Sequence, residues 1–312
     1  MLSSLVIGVV SKPARSIGVG IALGAWLSAV VFGPAPRGIA ASAAFDSAAD
    51  PTYNNQPDGT TGWVTGSNGG HGFGPWQSFY VPAPGSPLGV VASSTTNGTG
   101  DLDNDGDINT PRNASGRAWG FTAAPASDQG VEGTPSASRL FNSPLTAGQT
   151  FKIDMDNGFV ADPLLSNGMH FPGGVGWELQ GGTDTWEIEA LGGAKDYLLN
   201  TPTADHLDTG IPLTYEGLHC ELTMLGPSAI SPFPLQWMLT VTPLSPGSQT
   251  YTFTGIRLVD PTQLVVGDNG GGLDPANAVY FNNISITDVP EPGTLSVLGA
   301  GAALLLRRHC RL

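Results

Sequence analysis

Apolar and polar residues alternate along many short stretches of this chain, and Gly and Pro interrupt the pattern every few residues. Clear examples are residues 151–155, 175–179 and 186–190. Alternation with period two places the apolar side chains on one face of a strand. Helical spacing of apolar residues is not sustained over a dozen positions between residues 44 and 290. The pattern predicts an all-β, jelly-roll-like two-sheet β-sandwich of roughly 12 to 14 strands.

Turn residues divide these stretches further. Gly181-Gly182-Thr183-Asp184 lies between two alternating runs and predicts a hairpin turn. Residues 81–116 are the richest in Pro, Gly, Ser and Asp, which predicts a long surface excursion. We find no internal repeat, so residues 44–288 are expected to form one domain.

The N-terminus has the features of a secretory signal peptide. Lys12 and Arg15 precede an apolar stretch at residues 17–32, and a run of small residues follows. Within that run, Ala41 and Ala43 form an Ala-x-Ala cleavage signal, so residues 1–43 are expected to be a signal helix that is removed. The alternative is an uncleaved membrane anchor, but the apolar stretch is short of the about 20 residues that a span needs.

The last 24 residues combine an extended motif, a short apolar segment and a basic cluster. These are Val289, Pro290, Glu291 and Pro292, then residues 295–306, then Arg307 and Arg308. Proline fixes φ and disfavours helix before it, so the motif is expected to be extended and exposed. The apolar segment is short for a permanent span, and the arginines favour the cytoplasmic side of a membrane.

These C-terminal features resemble the PEP-CTERM sorting signal of Gram-negative bacteria. The resemblance implies export across the inner membrane by the secretion machinery and transient insertion through a short transmembrane helix. It also implies processing by an exosortase and a final location at the cell surface or in the extracellular matrix. Residues 289–312 are therefore expected to be a sorting tail, which says where the protein goes and not what it does.

The charge of the segment between the two signals excludes one class of partner. Residues 44–290 contain 6 basic and 25 acidic residues, a net charge of −19. Such a surface repels phosphate backbones, which excludes nucleic acid as a partner. The same charge suits divalent cations.

One acidic motif has the spacing of a calcium loop. Asp101, Asp103 and Asp105 occupy alternate positions before Gly106, and the metal-ligand set is completed by Asp107 and Asn109. Alternate acids converge on one cation, and the glycine permits the sharp turn. Arg112 replaces the bidentate acid at position 12, so the loop is not an EF-hand, and we expect a structural Ca²⁺ of weaker affinity. The alternative is a solvated acidic turn.

Two further polar pairs are candidates for chemistry. Asp46 and Asn282 could hold a calcium ion between the chain ends, but no spacing rule supports this, and ordinary strand polarity is the favoured interpretation. Glu187 and Glu189 lie two apart on a predicted strand and share a face, as a pair of glycosidase carboxylates could. Laminarinase-like sandwiches carry a Glu-x-Asp-x-x-Glu strand that this sequence resembles only in part. The solvent face of an amphipathic strand, with Trp186 and Ile188 inward, is favoured.

Aromatic residues and a cysteine complete the candidates. Trp63, Phe73 and Trp76 lie in a Gly-rich segment and could stack on sugar rings, although packing in the core is the commoner fate of such residues. Cys220 lies at an inward position of an alternating run, with His219 on the opposite face, so we expect a buried, unreactive thiol.

Two broader resemblances concern the domain itself. The order of motifs from Phe45 to Gly158 is similar to uncharacterised PEP-CTERM-associated extracellular domains. Residues 280–286 resemble the last strand of jelly-roll carbohydrate-binding modules. The sequence thus favours a non-catalytic surface or matrix protein, binding extracellular polysaccharide with a structural calcium. The alternatives are a purely structural matrix protein without a ligand and a β-sandwich glycoside hydrolase.

Overall fold

The computed structural model describes the β-rich part of the chain. The described residues are 42–54, 63, 65–79, 90–93, 117–121, 135–214, 216–226, 235–245, 247–269 and 279–288. Residues 1–41 of the predicted signal peptide, the acidic loop 101–109 and the tail from residue 289 lie outside them. The last two residues of the predicted signal peptide, Ser42 and Ala43, are described and begin the first strand.

The described residues form fifteen strands, one 3₁₀ turn and no α-helix. The strands are β1 (Ser42–Asp46), β2 (Gln77–Phe79), β3 (Val90–Ser93), β4 (Arg117–Phe121), β5 (Ser136–Leu140), β6 (Gln149–Asn157), β7 (Gly174–Gly181), β8 (Asp184–Leu191), β9 (Asp196–Thr201), β10 (Ala204–Pro212), β11 (Leu218–Leu225), β12 (Leu235–Pro243), β13 (Tyr251–Arg257), β14 (Gln263–Asn269) and β15 (Val279–Asp288). The 3₁₀ turn is Pro51–Asn54. In this part of the chain, no helix has the length and apolar character needed to cross a membrane.

The strands form two antiparallel sheets. The eight-stranded sheet has the order β13-β12-β11-β6-β15-β4-β3, with β1 paired to β15. The seven-stranded sheet has the order β10-β9-β8-β7-β14-β5-β2. This confirms the predicted all-β, two-sheet sandwich. The strand number exceeds the estimate of 12 to 14, because short strands such as β2 and β3 lie in Gly- and Pro-rich stretches where alternation is hard to recognise.

One part of the predicted surface excursion 81–116 belongs to a sheet instead. Its described residues, Val90–Ser93, form β3 and pair with Arg117–Phe121 at the edge of the eight-stranded sheet. The Pro and Gly content of the flanking residues obscures this four-residue strand, and its pairing with β4 is a long-range contact that local composition does not encode.

The core lies between the sheets and follows the alternation in the sequence. Trp186 and Ile188 of β8 are fully buried, as predicted, while Glu187 between them is on the outward face. The ring of Phe151 on one sheet lies 5.9 Å from that of Trp177 on the other. Burying such side chains stabilises the fold by about 1.5–3 kcal/mol each.

The hairpin predicted at residues 181–184 is present and sets the register of the seven-stranded sheet. Gly181 is opposite Asp184, and Gly182 has a φ of 59°, which glycine adopts without steric cost. Counting back from this turn places Glu178 of β7 directly opposite Glu187 of β8. The turn therefore brings two outward-facing acids together.

Candidate functional site

A groove of about 340 Å³ lies on the outward face of the seven-stranded sheet. Its described lining residues are Pro135, Ser136, Pro172, Gly174, Val175, Gly176, Trp177, Glu178, Glu187, Glu189, Leu191, Val265, Val266, Gly267 and Asp268. They come chiefly from β5, β14, β7 and β8, which are neighbours in this sheet. The volume is in the range of small-ligand sites.

Glycines on β7 make room for the groove. A Cβ on Gly176 would lie 2.3 Å from the carbonyl oxygen of Ile188, so no larger residue fits between the strands there. A Cβ on Gly174 would lie 3.0 Å from Cδ2 of Leu191 and 3.7 Å from Oε2 of Glu189. The Glu189 carboxylate and the Leu191 side chain thus lie over Gly174, and a side chain there would crowd Leu191.

Two carboxylates of β8 are held by one amide. Nδ2 of Asn200 on β9 donates to Oε2 of Glu187 at 2.7 Å and to Oε1 of Glu189 at 3.2 Å. These two distances keep the two carboxylate oxygens within about 6 Å of each other. Nε2 of His206 on β10 lies 3.2 Å from the same oxygen of Glu189. The pair is therefore oriented by side chains from the next two strands.

The groove disfavours the charged forms of its acids. Burial raises the pKa of Glu189 to about 6, and the charge of Glu187 contributes in the same direction, while His206 opposes both. Burial also raises the pKa of Glu178, with a contribution from Glu187, whereas the Gln180 amide donates to its carboxylate at 3.1 Å and lowers it. Partly buried carboxylates that repel each other are poised to bind donors or positive charge.

Apolar groups complete the groove. Leu191, Val265 and Pro172 are half-buried or exposed and lie among the carboxylates. Phe171, next to Pro172, is 38% exposed. The groove therefore offers hydrogen-bond acceptors beside apolar surface, a combination that fits a ligand with hydroxyl or amino groups and apolar ring faces.

The three aromatics proposed for sugar stacking are in the core, so that hypothesis is corrected. Trp63, Phe73 and Trp76 are 8%, 3% and 1% exposed. Trp63 packs edge-on against Trp76 at 5.2 Å between ring centroids, and Trp76 lies 5.3 Å from Trp119. The three rings pack in the core, which is the other interpretation given above. Burying such large rings removes much apolar surface from water and stabilises the fold.

Asp46 and Asn282 are also occupied by protein groups. The buried Asp46 carboxylate pairs with Arg139 and accepts a hydrogen bond from the Tyr53 hydroxyl at 2.5 Å. The side-chain oxygen of Asn282 accepts from the Ala48 amide at 2.9 Å. These contacts tie β1 and its following turn to β5 and β15, which is the structural interpretation favoured from the sequence.

The remaining candidates divide between described and undescribed residues. In the described ranges, no group of three His, Cys, Asp or Glu side chains is arranged to hold a metal ion. The loop containing Asp101, Asp103, Asp105, Asp107 and Asn109 lies outside those ranges, so its calcium ion stays a prediction. Cys220 is fully buried and burial raises its pKa, as expected of an unreactive thiol.

Sequence reasoning singled out Glu187 and Glu189 but missed the rest of the groove. Glu178 could have been found by counting back from the Gly181–Asp184 turn, because a hairpin fixes its cross-strand pairs. Asn200 of β9 is directly opposite Glu187, but the longer connection between β8 and β9 does not fix this register from sequence. His206 could not be placed, because the β9–β10 register is irregular and His206 has a φ of 47°.

Comparison with known proteins yields distant structural likeness alone. No protein-family model matches the chain, and no curated protein matches its sequence. The CBM2 module of the evolved Dit of Lactobacillus casei BL23 phage J-1 is 10% identical with a TM-score of 0.36, over 80% of this chain and 98% of that one. A glycosyl hydrolase family protein from Mycobacterium fortuitum is 12% identical with a TM-score of 0.34, over 54% and 74%. A lectin from Bauhinia forficata in complex with GalNAc is 11% identical with a TM-score of 0.30, over 68% and 97%. At TM-scores below 0.5 these similarities assign neither a family nor a ligand.

Proposed function

We propose that this chain is an exported, non-catalytic surface or matrix protein that binds polysaccharide in the groove of its seven-stranded sheet. The observation that carries the proposal is the lining of the groove, in which oriented carboxylates lie beside apolar side chains. Sugar hydroxyls donate to carboxylates, and the C–H faces of the rings pack on apolar surface. Glu187 and Glu189 supply the acceptors, and Leu191 with Val265 supplies the apolar contact.

Binding without turnover is favoured by the incomplete set of acids on β8. The Glu-x-Asp-x-x-Glu strand of laminarinase-like sandwiches has three acids. Glu187 and Glu189 share the Asn200 amide. Leu191, the next outward residue on β8, supplies no third acid.

The proposal includes the route to the surface and the calcium ion. Export by the signal at residues 1–43, sorting by the tail at residues 289–312 and a structural Ca²⁺ on the loop 101–109 are all inferred from sequence motifs. A polysaccharide-rich layer outside the cell is where such a protein would meet its ligand.

Retention of the purified protein on a panel of immobilised polysaccharides tests the proposed function. We expect retention that Glu187→Gln and Glu189→Gln each weaken about tenfold, equivalent to 1.4 kcal/mol. The matched control is Glu221→Gln, which removes an acid from the other sheet and should leave retention unchanged. Binding that is equal in all variants, or no retention on any polysaccharide, would contradict binding in this groove.

The alternative of a glycoside hydrolase is favoured by one observation, the raised pKa of Glu189 beside a second carboxylate, which suits a general acid. Incubation with the retained polysaccharide separates the two functions. If the wild-type protein releases reducing ends and Glu189→Gln does not, the protein is a glycoside hydrolase. Retention of the polysaccharide without release of reducing ends supports the proposed binding function.

A further inference from the structure

Several acids elsewhere in the described residues form ion pairs with Lys or Arg, whereas Glu189 of the groove is in contact with His206. Asp46 pairs with Arg139, Glu221 pairs with Lys152, and Asp260 pairs with Arg257. The described lining of the groove contains neither Lys nor Arg, and three of its acids are neighbours on β7 and β8. These are Glu178, Glu187 and Glu189.

The arrangement of these acids concentrates negative charge on one side of the groove. Glu178 and Glu187 are directly opposite each other on adjacent strands, where like charges destabilise a sheet. Glu189 lies two residues beyond Glu187 on the same face. A positive charge bound between them would relieve this repulsion in a partly buried place, where electrostatic interactions are stronger than in water.

The groups that face Glu189 supply little compensation. Asn200 on β9 is neutral and donates one hydrogen bond, and Asp205 on β10 adds a further negative charge. His206 on β10 is the single titratable base near the pair among the described residues, and its side chain is 54% exposed. Counted over the described residues, the net charge at the groove is therefore negative.

The shape of the groove favours an organic cation over a metal ion. The described acids do not converge as a group of three metal ligands. They are spread along a groove whose other lining residues, Leu191, Val265 and Pro172, are apolar. A metal ion would leave that apolar surface unused, whereas a sugar ring with an ammonium group would contact both parts.

We infer that the groove selects a saccharide with free amino groups, an amino-sugar polymer that lacks N-acetyl groups on part of its residues. The inference rests on the proposed saccharide binding and adds the charge of the ligand to it. Each ammonium group donates to the carboxylates of Glu187 and Glu189, and the ring packs against Leu191. An N-acetyl group at the same position is neutral and places a methyl group next to the carboxylates.

Calorimetry with two matched probes tests the inference. One probe is a hexamer of β-1,4-linked glucosamine, and the other is the same hexamer fully N-acetylated. At pH 6 and low salt, we expect the free-amine hexamer to bind at least about tenfold more tightly. The difference should shrink at about 0.5 M salt, because ions screen a partly exposed site.

Variants distinguish a local site from general attraction to an acidic protein. Glu187→Gln and Glu189→Gln should each remove most of the advantage of the amine, and Glu221→Gln, which deletes one acid from the other sheet, should not. Binding of the amine should also release protons near pH 6, because the ammonium group lowers the raised pKa of Glu189, and this release should be absent from Glu189→Gln. Thermal unfolding of each variant checks that the fold is intact.

Four outcomes contradict the inference, and they bear differently on the proposed function. Equal affinity for the two hexamers leaves saccharide binding in place but removes the selectivity for amines. If Glu187→Gln, Glu189→Gln and Glu221→Gln lose the same amount of affinity for the free-amine hexamer, the hexamer is attracted by the net charge of the protein and not by the groove. Saturable binding of calcium chloride alone that both groove variants abolish would make the cation a metal ion. If neither these hexamers nor the polysaccharide panel binds, both proposals fail.

Discussion

The outward faces of the two sheets use the same types of residue in opposite ways. On the eight-stranded sheet, Lys152 is directly opposite Glu221, and the two side chains form an ion pair at 2.6 Å. Asp154 is directly opposite His219 and contacts its Nδ1 at 2.5 Å, and it also accepts from Asn283 at 2.6 Å. Glu221 and Asp154 on this face thus each have a base directly across the strand.

On the seven-stranded sheet, two acids are directly opposite each other, and the neutral Asn200 is the partner on the next strand. Glu178 is opposite Glu187, and no Lys or Arg is among the described residues of the groove. The pKa values of Glu221 and Glu189 differ in the same sense as their surroundings. A hydrogen bond from His219, with help from Lys152, lowers the pKa of Glu221 to about 2, whereas burial and Glu187 raise that of Glu189 to about 6.

The comparison shows that alternation in a strand does not distinguish an acid paired with a base from one that is opposite another acid. Both faces have the same period-two pattern, and each acid lies at an outward position. The cross-strand neighbour decides whether its charge is neutralised within the fold or left for a partner. Removing an acid should therefore weaken the fold on one face and not on the other.

The largest effect on stability is expected for Asp154→Ala. Asp154 is 2% exposed, and its carboxylate contacts His219 and accepts a hydrogen bond from Asn283. The substitution removes this buried acceptor from both side chains. The free energy of unfolding should fall by about 3 kcal/mol in urea titrations at pH 7. Glu187→Gln is the control on the other face and should be neutral. A loss below about 1 kcal/mol for Asp154→Ala would show that the network contributes little.

The next effect is a pH dependence that Glu189 imposes on the folded state. Its pKa of about 6 is above that of an unfolded chain, so the folded protein holds the proton more tightly. This contribution to stability is full below about pH 4.5 and is lost as pH rises through 6. Between pH 4.5 and 7.5, the free energy of unfolding of the Glu189→Gln variant should fall by about 2 kcal/mol less than that of the wild-type protein. The same pH profile in both proteins would mean that Glu189 titrates normally.

The opposite dependence is expected from Glu221 on the other face. Its pKa of about 2 is below the unfolded value, so its contribution is full above about pH 4.5 and is lost as pH falls towards 2. Because the side chain is 35% exposed, solvent screens the interaction, and Glu221→Gln should cost about 1 kcal/mol or less at pH 7. Chemical denaturation at pH 7 and pH 3 measures this. A variant that loses as much at pH 3 as at pH 7 would refute the assignment.

The smallest effect is a gain in stability from Glu178→Gln. The substitution removes one of two like charges that are directly opposite on β7 and β8, and it keeps an oxygen that accepts from Gln180. Thermal and urea unfolding at low salt should show an increase of about 0.5 kcal/mol, and the increase should vanish in high salt. A decrease in stability would show that the carboxylate of Glu178 is needed by the fold.

Much of the fold was accessible from local patterns, whereas the groove was accessible only in part. Alternation identified the inward Trp186 and Ile188 and the opposite direction of Glu187 and Glu189, because it depends only on the geometry of one strand. It did not show that Glu189 is only 9% exposed, because neighbouring strands cover it. It also placed Cys220 in the core. The exposure of Trp63, Phe73 and Trp76 could not be judged from their Gly-rich surroundings, since long-range packing between the sheets decides it.

The chain alone establishes the β-sandwich, the acidic character and the motifs at its two ends, because each depends on residues that are close in sequence. The tertiary structure decided which acids are neutralised. It pairs Asp46 with Arg139, 93 positions further along the chain, and Glu221 with Lys152 on another strand. It also brings Asn200 and His206 to the carboxylates of β8. The register of strands depends on the packing of the whole sandwich, and the charge left exposed in the groove depends on that register.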